Sequence, residues 1–435
     1  MRRLVEEYRH FLSRPRDMRV LLMTNLIYAL VLPVIDVFVG AYIMRNTEDP
    51  RQLMQYQMAV YAGIPLTFLI NGFLLRHIHI KRLYSMGMLL SGLAMAVMMS
   101  SGGLEQRYVA WAGLLMGMSF GFFWANRDLL AIRTTTDDDR NYYYGLETFF
   151  YTNTYVFIPL AIGWFIDGTT RHGWMGGVPN RAYQVVTGVV FLLTIASSVV
   201  VHLGRFPSPT RTRFLYLRFH KLWYRMQLLA VLKGLMQGYI VTAPAMLVMQ
   251  LVGKEGALGT LQAVGGVASA FLLYLIGRTT GPSQRIGIFS VGLVLFVLGG
   301  LANAALYNQA GVFLFMACLL MARPLHDIAY FPIQMKVIDT VSAIEGRSKF
   351  AYIFHQEFGF FVGRLGGCGL FLLLARVWGG EFALRYAILF VALVQLLSIP
   401  VARYVLRGCD AYGPPPTEGE IPASLEPVIS VAVTR

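Results

Sequence analysis

Charge is scarce in this sequence: Asp, Glu, Lys and Arg make up 14% of its 435 residues, against about 25% in an ordinary soluble domain. With 56% hydrophobic residues and so few charges, the chain cannot cover a water-facing fold, and the bilayer is its natural solvent. Cysteine is scarcer still. Cys318, Cys368 and Cys409 are the only three; two fall in apolar runs and one in the tail, so neither a disulfide framework nor zinc spacing arises. No phosphate-cradling Walker sequence is present, which excludes nucleotide hydrolysis by that route. No cofactor motif occurs, and neither a cofactor nor a bound metal is expected. The 21 methionines do not form a one-sided ligand stripe. The ten-residue alternation of β-barrel strands is missing too.

What is present is a series of apolar runs of about 20 residues, each long enough to cross a hydrocarbon core of roughly 30 Å. Twelve are expected, at 20–43, 55–75, 83–101, 109–132, 143–166, 183–203, 227–251, 258–277, 286–306, 312–335, 350–375 and 384–406. Gly and Pro recur inside them, as membrane helices tolerate. The expected class is therefore an all-α integral membrane protein with twelve transmembrane helices. The first run is too long for a signal-peptide core and no small-residue cleavage site follows it, so it is expected to be retained.

Orientation follows from the 37 basic residues. With an inward N-terminus, the inner segments hold 25 and the outer segments eight, while Arg127, Lys233, Arg323 and Arg364 lie within spans. Both termini are accordingly expected in the cytoplasm, with the protein in the cytoplasmic (inner) membrane. The net charge of +14 is explained by this topology; the basic residues are scattered over short loops without a recognition motif, and no nucleic-acid partner is expected. Leu4, Val5, Tyr8, Phe11 and Leu12 recur at helical spacing in segment 1–19, which reads as an amphipathic stretch on the inner leaflet. Residues 408–435, rich in Pro and Glu, are expected to be a disordered cytoplasmic tail.

The twelve spans divide at the basic linker 204–226 into six-span halves, 20–203 and 227–407. Local sequence recurs between them. Tyr28-x4-Pro33 in the first span corresponds to Tyr239-x4-Pro244 in the seventh; Arg127-Asp128 in the fourth to His326-Asp327 in the tenth; Gly145-Leu-Glu147 in the fifth to His355-Gln-Glu357 in the eleventh. Three matches in order indicate a duplicated six-helix unit. On these features, about residues 15–407 resemble the major facilitator superfamily, a divergent member of it. The family's loop between spans 2 and 3 corresponds to Gly72-Phe-Leu-Leu-Arg76-His-Ile-His79-Ile-Lys81-Arg82, with Arg76 at the usual acidic place and His79 at that of the second glycine. The loop Gly277-Arg278-Thr-Thr-Gly281-Pro-Ser-Gln-Arg285 again carries Arg at the acidic place. Tyr155-Val-Phe-Ile158-Pro159 lacks the glycine that precedes proline in proton-coupled drug exporters. The resemblance implies two pseudo-symmetric six-helix bundles and a secondary transporter working by alternating access.

Ionisable side chains inside spans cost at least about 2.5–3.5 kcal/mol each at mid-depth, so they face a bundle interior and pair or bind something. Asp36 either takes up a proton or is a solvated carboxylate paired with Arg45 or a Tyr hydroxyl. Arg127, Asp128 and Glu147 form one candidate cluster, with His326, Asp327 and Glu357 as its counterpart. These are an inner gate, fixed pairs within each half, or substrate contacts. Arg364 either meets an anionic substrate or balances Asp36 or Glu357. Lys233 is expected to snorkel to the inner interface. His355 either relays protons or is a hydrogen-bonded structural histidine. Tyr28 and Tyr239 complete the substrate or coupling-ion candidates.

The leading functional expectation is a permease for a small, charged solute, ion- or proton-coupled and monomeric, with the solute and the bilayer as its only partners. The alternative is a non-transporting relative that assists assembly of a membrane complex. A membrane enzyme using Asp128, Glu147 and His355 as acid or base is disfavoured, because no large loop could hold a soluble co-substrate.

Overall fold

A computed structural model describes residues 9–100, 105–135, 137–206, 215–279, 284–347 and 349–412. The start of the expected amphipathic segment (1–8), the centre of the linker (207–214), part of the second signature loop (280–283) and most of the expected tail (413–435) lie outside the described residues, while the first residues of that tail are helical, in a helix that runs on to Asp410. Among the described residues the chain folds into α-helices without a strand: α1 Arg16–Ala29, α2 Leu32–Thr47, α3 Pro50–Leu74, α4 Ile80–Ser100, α5 Gln106–Thr134, α6 Asp137–Arg171, α7 Pro179–Val201, α8 Lys221–Ile240, α9 Ala243–Leu251, α10 Glu255–Thr279, α11 Arg285–Leu306, α12 Gln309–Glu345, α13 Lys349–Trp378, α14 Gly380–Gln395 and α15 Ser398–Asp410. Eleven helical stretches among the described residues are long and apolar enough to cross a membrane. Helix α10, at the place of the eighth expected span, has 25 residues and a length of about 37 Å.

Three expected spans are each two helices, and proline chemistry explains every break. A proline inside a helix lacks an N–H donor and its ring crowds the carbonyl four residues back. Four residues before Pro33 is Ala29, where α1 ends; four before Pro244 is Ile240, where α8 ends; four before Pro400 is Leu396, directly after α14. Tighter bonds close the ends: Val31 N–H donates to Tyr28 O at 2.9 Å and Thr242 N–H to Tyr239 O at 3.1 Å. The repeated Tyr-x4-Pro sequence thus encodes a repeated helix break. Pro65, Pro159, Pro324 and Pro332 stay inside continuous helices, where neighbouring elements re-satisfy the backbone.

The expected tenth span needs a correction. It ends not at 335 but continues as α12 to Glu345, because buried Val337, Ile338 and Val341 extend the apolar face past Lys336 at helical spacing. Gly346, at φ 60°, caps it in the left-handed region.

The helices form two compact units. One contains Met1–Thr47, Ala59–Pro209 and Lys254–Ala263; the other contains Glu48–Met58, Thr210–Gly253 and Val264–Arg435. In the first, α4 packs on α5 and α7, and α1 on α6 and α7; in the second, α11 packs on α12 and α14, and α8 on α13 and α14. These are corresponding pairs of the two halves. Lipid tails are as apolar as leucine, so such contacts rely on close backbone approach at small residues. Gly63 of α3 is one such point, where a methyl group would sit 2.7 Å from Leu114 O of α5. Gly238 of α8 is another, at 2.5 Å from Arg364 O of α13.

Valine at Gly63 should therefore force α3 from α5 and lower the melting temperature in detergent, by an amount corresponding to about 1–3 kcal/mol. Gly188→Val, where nothing lies within 4 Å of the added carbon, should leave it unchanged; equal melting curves for the two variants would contradict this packing.

Candidate functional site

In the first unit the polar centre is built on α1, α4, α5 and α6. Arg127 donates from Nε to Glu147 Oε1 at 3.0 Å and from a terminal nitrogen to Glu147 Oε2, and its other arm meets Asp128 Oδ1 at 2.6 Å. Glu147 is only 2% exposed. It also accepts from Asn25 Nδ2 at 2.6 Å and from the Tyr143 hydroxyl at 3.2 Å. Asn25 in turn accepts from the Tyr84 hydroxyl at 2.5 Å. Trp124 lies 5.7 Å from the Arg127 guanidinium, ring to cation. The expected trio is thus brought together, but Asn25, Tyr84 and Tyr143, which the sequence reading missed, complete its hydrogen bonding. A lone Asn in an apolar span, as in Met23-Thr24-Asn25-Leu26, was the available signal.

Asp36 lies apart from that network. Between Leu32 and Met44 every residue of α2 is buried except Asp36, which is exposed. Its carboxylate accepts a hydrogen bond from the Tyr155 hydroxyl of α6. Arg45, one of the partners considered for Asp36, instead pairs with Glu255 in the first turn of α10, with one bond of 2.5 Å. Glu255 is fully buried and also accepts from the Tyr183 hydroxyl at 3.2 Å. Glu255 escaped the sequence reading because it sits in a loop-like Gly253-Lys254-Glu255-Gly256 stretch that hydropathy places outside the span.

In the second unit Lys233 of α8 is 3% exposed and does not snorkel to an interface. Its ammonium donates to Asp327 Oδ1 at 2.6 Å and lies 4.0 Å from the centres of both Tyr330 and Phe331. A carboxylate and two aromatic faces on α12 replace the water that snorkelling would have provided. His326, buried, stacks on Tyr330 and lies tilted against Phe289; its Nδ1 lies 3.5 Å from Asp327 Oδ1, and among the described residues its Nε2 has no hydrogen-bond partner. Arg364 of α13 donates to Gln237 Oε1 at 3.0 Å and contacts Glu357 Oε2 at 3.4 Å. Glu357 therefore belongs with Arg364, about two turns further along α13, rather than pairing with His326 and Asp327 as a unit.

The remaining candidates divide. The Tyr28 hydroxyl lies 3.5 Å from Ser119 Oγ. That of Tyr239 is buried and has no partner among the described residues, its ring stacked on Phe371. His355 accepts at Nδ1 from Trp223 Nε1 at 3.0 Å and Gln227 Nε2 at 2.7 Å, a clasp that leaves its proton on Nε2. At the first signature loop, Lys81 donates to Gly204 O at 2.9 Å and Arg76 stacks on Phe73. The loop is thus fastened to the end of α7.

No family model matches the sequence. The chain is similar to an uncharacterised protein in the sodM 3′ region of Geobacillus stearothermophilus, 27% identical over 37% of this chain and 74% of that protein. It is also similar to the uncharacterised protein YqgE of Bacillus subtilis, 22% identical over 81% of both. Among solved structures it resembles the nucleoside transporter NupG, with a TM-score of 0.68 and 9% identity over 90% of this chain and 100% of that one. A bacterial homologue of the iron transporter ferroportin follows, with a TM-score of 0.65 and 14% identity over 90% of this chain and 98% of that one. The chain shares the multi-pass helical membrane fold of these solved transporters.

Removing one member of a buried ion pair leaves the other charge uncompensated, which costs about 3–5 kcal/mol, whereas replacing both by apolar groups is often neutral. Arg127→Met and Glu147→Leu should each strongly destabilise the protein in thermal melts, and the double variant should recover much of the loss. Additive losses would show that the two charges are not coupled.

Proposed function

We propose that the chain is a secondary active transporter that moves a small, charged solute across the cytoplasmic membrane by alternating access, coupled to protons or another ion. Asp36 carries this reading. Its carboxylate is the one exposed group along a stretch of α2 whose other residues are all buried. A carboxylate within an apolar span does not face lipid, so it marks a water-reachable passage, and such residues line solute and ion pathways. Asp36, with Tyr155 as its hydrogen-bond donor, is the coupling group in this reading. Arg364, whose guanidinium has Gln237 and Glu357 as partners, is the group that meets an anionic part of the solute. The pair of buried Lys233 and partly exposed Asp327, beside a His326 Nε2 that has no partner among the described residues, is a second ionisable cluster that changes partners during the cycle. Both termini are cytoplasmic, as the basic inner loops favour.

The experiment is a thermal-stability screen of the purified protein against a solute library, followed by flux in proteoliposomes carrying a lumenal pH dye. A stabilising solute is expected to drive a lumenal pH change. Asp36→Asn, nearly isosteric and at an exposed position, should abolish that change while leaving the melting temperature in place. Unaltered flux in Asp36→Asn would remove this residue from coupling. Absence of flux for every solute, with the protein recovered alongside one membrane partner, would favour the assembly role.

A further inference from the structure

Away from these charges, α4 and α7 of the first unit enclose a groove of about 410 Å³. Its two ends differ in kind. At one end lie Arg82, in the first turn of α4, and His202, the residue that caps α7. The rest is apolar, with Met86, Leu90 and Leu93 on α4 facing Phe191 on α7. From Arg82 to Leu93 is about 16 Å along the helix. Ser85 and Ser198 hydrogen-bond across the two helices beneath the polar end. Leu93 and Phe191 are exposed, so the apolar end opens towards the hydrocarbon that surrounds the spans.

The polar end is positive and under-satisfied. Arg82 is exposed, and none of the described residues pairs with its guanidinium. His202 donates from Nδ1 to Ser198 O at 2.7 Å, which leaves Nε2 at the surface. Lys81 and His79 stand beside them. Burial, and then the adjacent positive charges of Lys81, Arg82 and His202, hold the His79 pKa below its ordinary value. Arg205 adds a further exposed cation, its backbone N–H tied to Asp17 at 2.8 Å. Cations at a helix-end interface above an apolar slot are complementary to one kind of molecule, an amphiphile with an anionic head.

We infer that this groove is a binding site for an anionic glycerophospholipid. Its phosphodiester lies between Arg82 and His202, and one acyl chain runs along Met86, Leu90 and Leu93 against Phe191. The membrane is the source, because the groove's apolar end opens to hydrocarbon, where a soluble anion would leave it uncovered. The site is independent of the transport reading: it lies on the outer face of α4 and α7 and uses none of the residues assigned to coupling or solute.

The test uses the full-length protein in detergent, with phosphatidylglycerol and phosphatidylcholine of identical chains as probes. Retained lipid is counted by native mass spectrometry, and stability is followed by melting. Phosphatidylglycerol should be retained in preference, with Arg82→Gln or His202→Gln each weakening that preference roughly fivefold. Leu90→Trp, which fills the slot, should reduce retention of both lipids. Equal retention of the two headgroups by the unaltered protein would overturn the proposal, and this arm needs no variant to fold. So would stabilisation by inorganic phosphate equal to that by phosphatidylglycerol, because the site would then be one for a soluble anion.

Discussion

A charge carried into hydrocarbon must meet an opposite charge, a set of hydrogen-bond donors or water, and the arrangement of this protein follows from how each case is resolved. Within spans, removing the partner of a buried charge costs several kcal/mol, more than a typical packing contact is worth. Helices that share such a pair are therefore held in one rotation about their axes. Glu147 shows the effect: bonds from Arg127, Asn25 and Tyr143 tie α5, α1 and α6 to a single carboxylate, and Tyr84 brings in α4 through Asn25. Four helices are indexed by one buried anion.

Backbone constraints act at a second level. Proline ends α1, α8 and α14 four or five residues back along the chain, and glycines such as Gly63 and Gly238 let paired helices approach to backbone contact. These are local, sequence-encoded devices, and two of the breaks recur at corresponding places in the two halves. The charged networks do not recur in the same way. Arg127 of the fourth span has His326 as its counterpart, so the tenth span presents an imidazole where the fourth presents a guanidinium. The cation of the second unit comes instead from Lys233 on α8. The helix breaks correspond between the two halves while the charged chemistry differs.

This separates what the sequence makes legible from what it hides. Apolar runs of span length, the proline breaks and the grouping of Arg127, Asp128 and Glu147 near one another are readable because hydropathy, ring chemistry and short separations are local properties. Glu255 and Lys233 were not readable as they stand. Glu255 pairs with a residue 210 positions away, and whether a lysine snorkels depends on the aromatic faces of another helix. Partner choice of this kind is decided by helix rotation and crossing, which apolar periodicity does not encode when a helix is hydrophobic all round. The end of α12 was misplaced for a related reason: the apolar run stops before Lys336, although the buried face continues past it through Val337, Ile338 and Val341.

The two networks differ in a way that bears on mechanism. Glu147 is enclosed and takes bonds from Arg127, Asn25 and Tyr143, so breaking its contacts exposes no ready substitute partner. The cluster of Lys233, Asp327 and His326 is less complete. Asp327 has a side chain 36% exposed, and His326 Nε2 is without a partner among the described residues. Besides the Asp327 carboxylate, the Lys233 ammonium has the rings of Tyr330 and Phe331 against it. An aromatic shelf beside a buried lysine lowers the cost of its unpaired state, which is the physical requirement for an ion pair that opens and reforms.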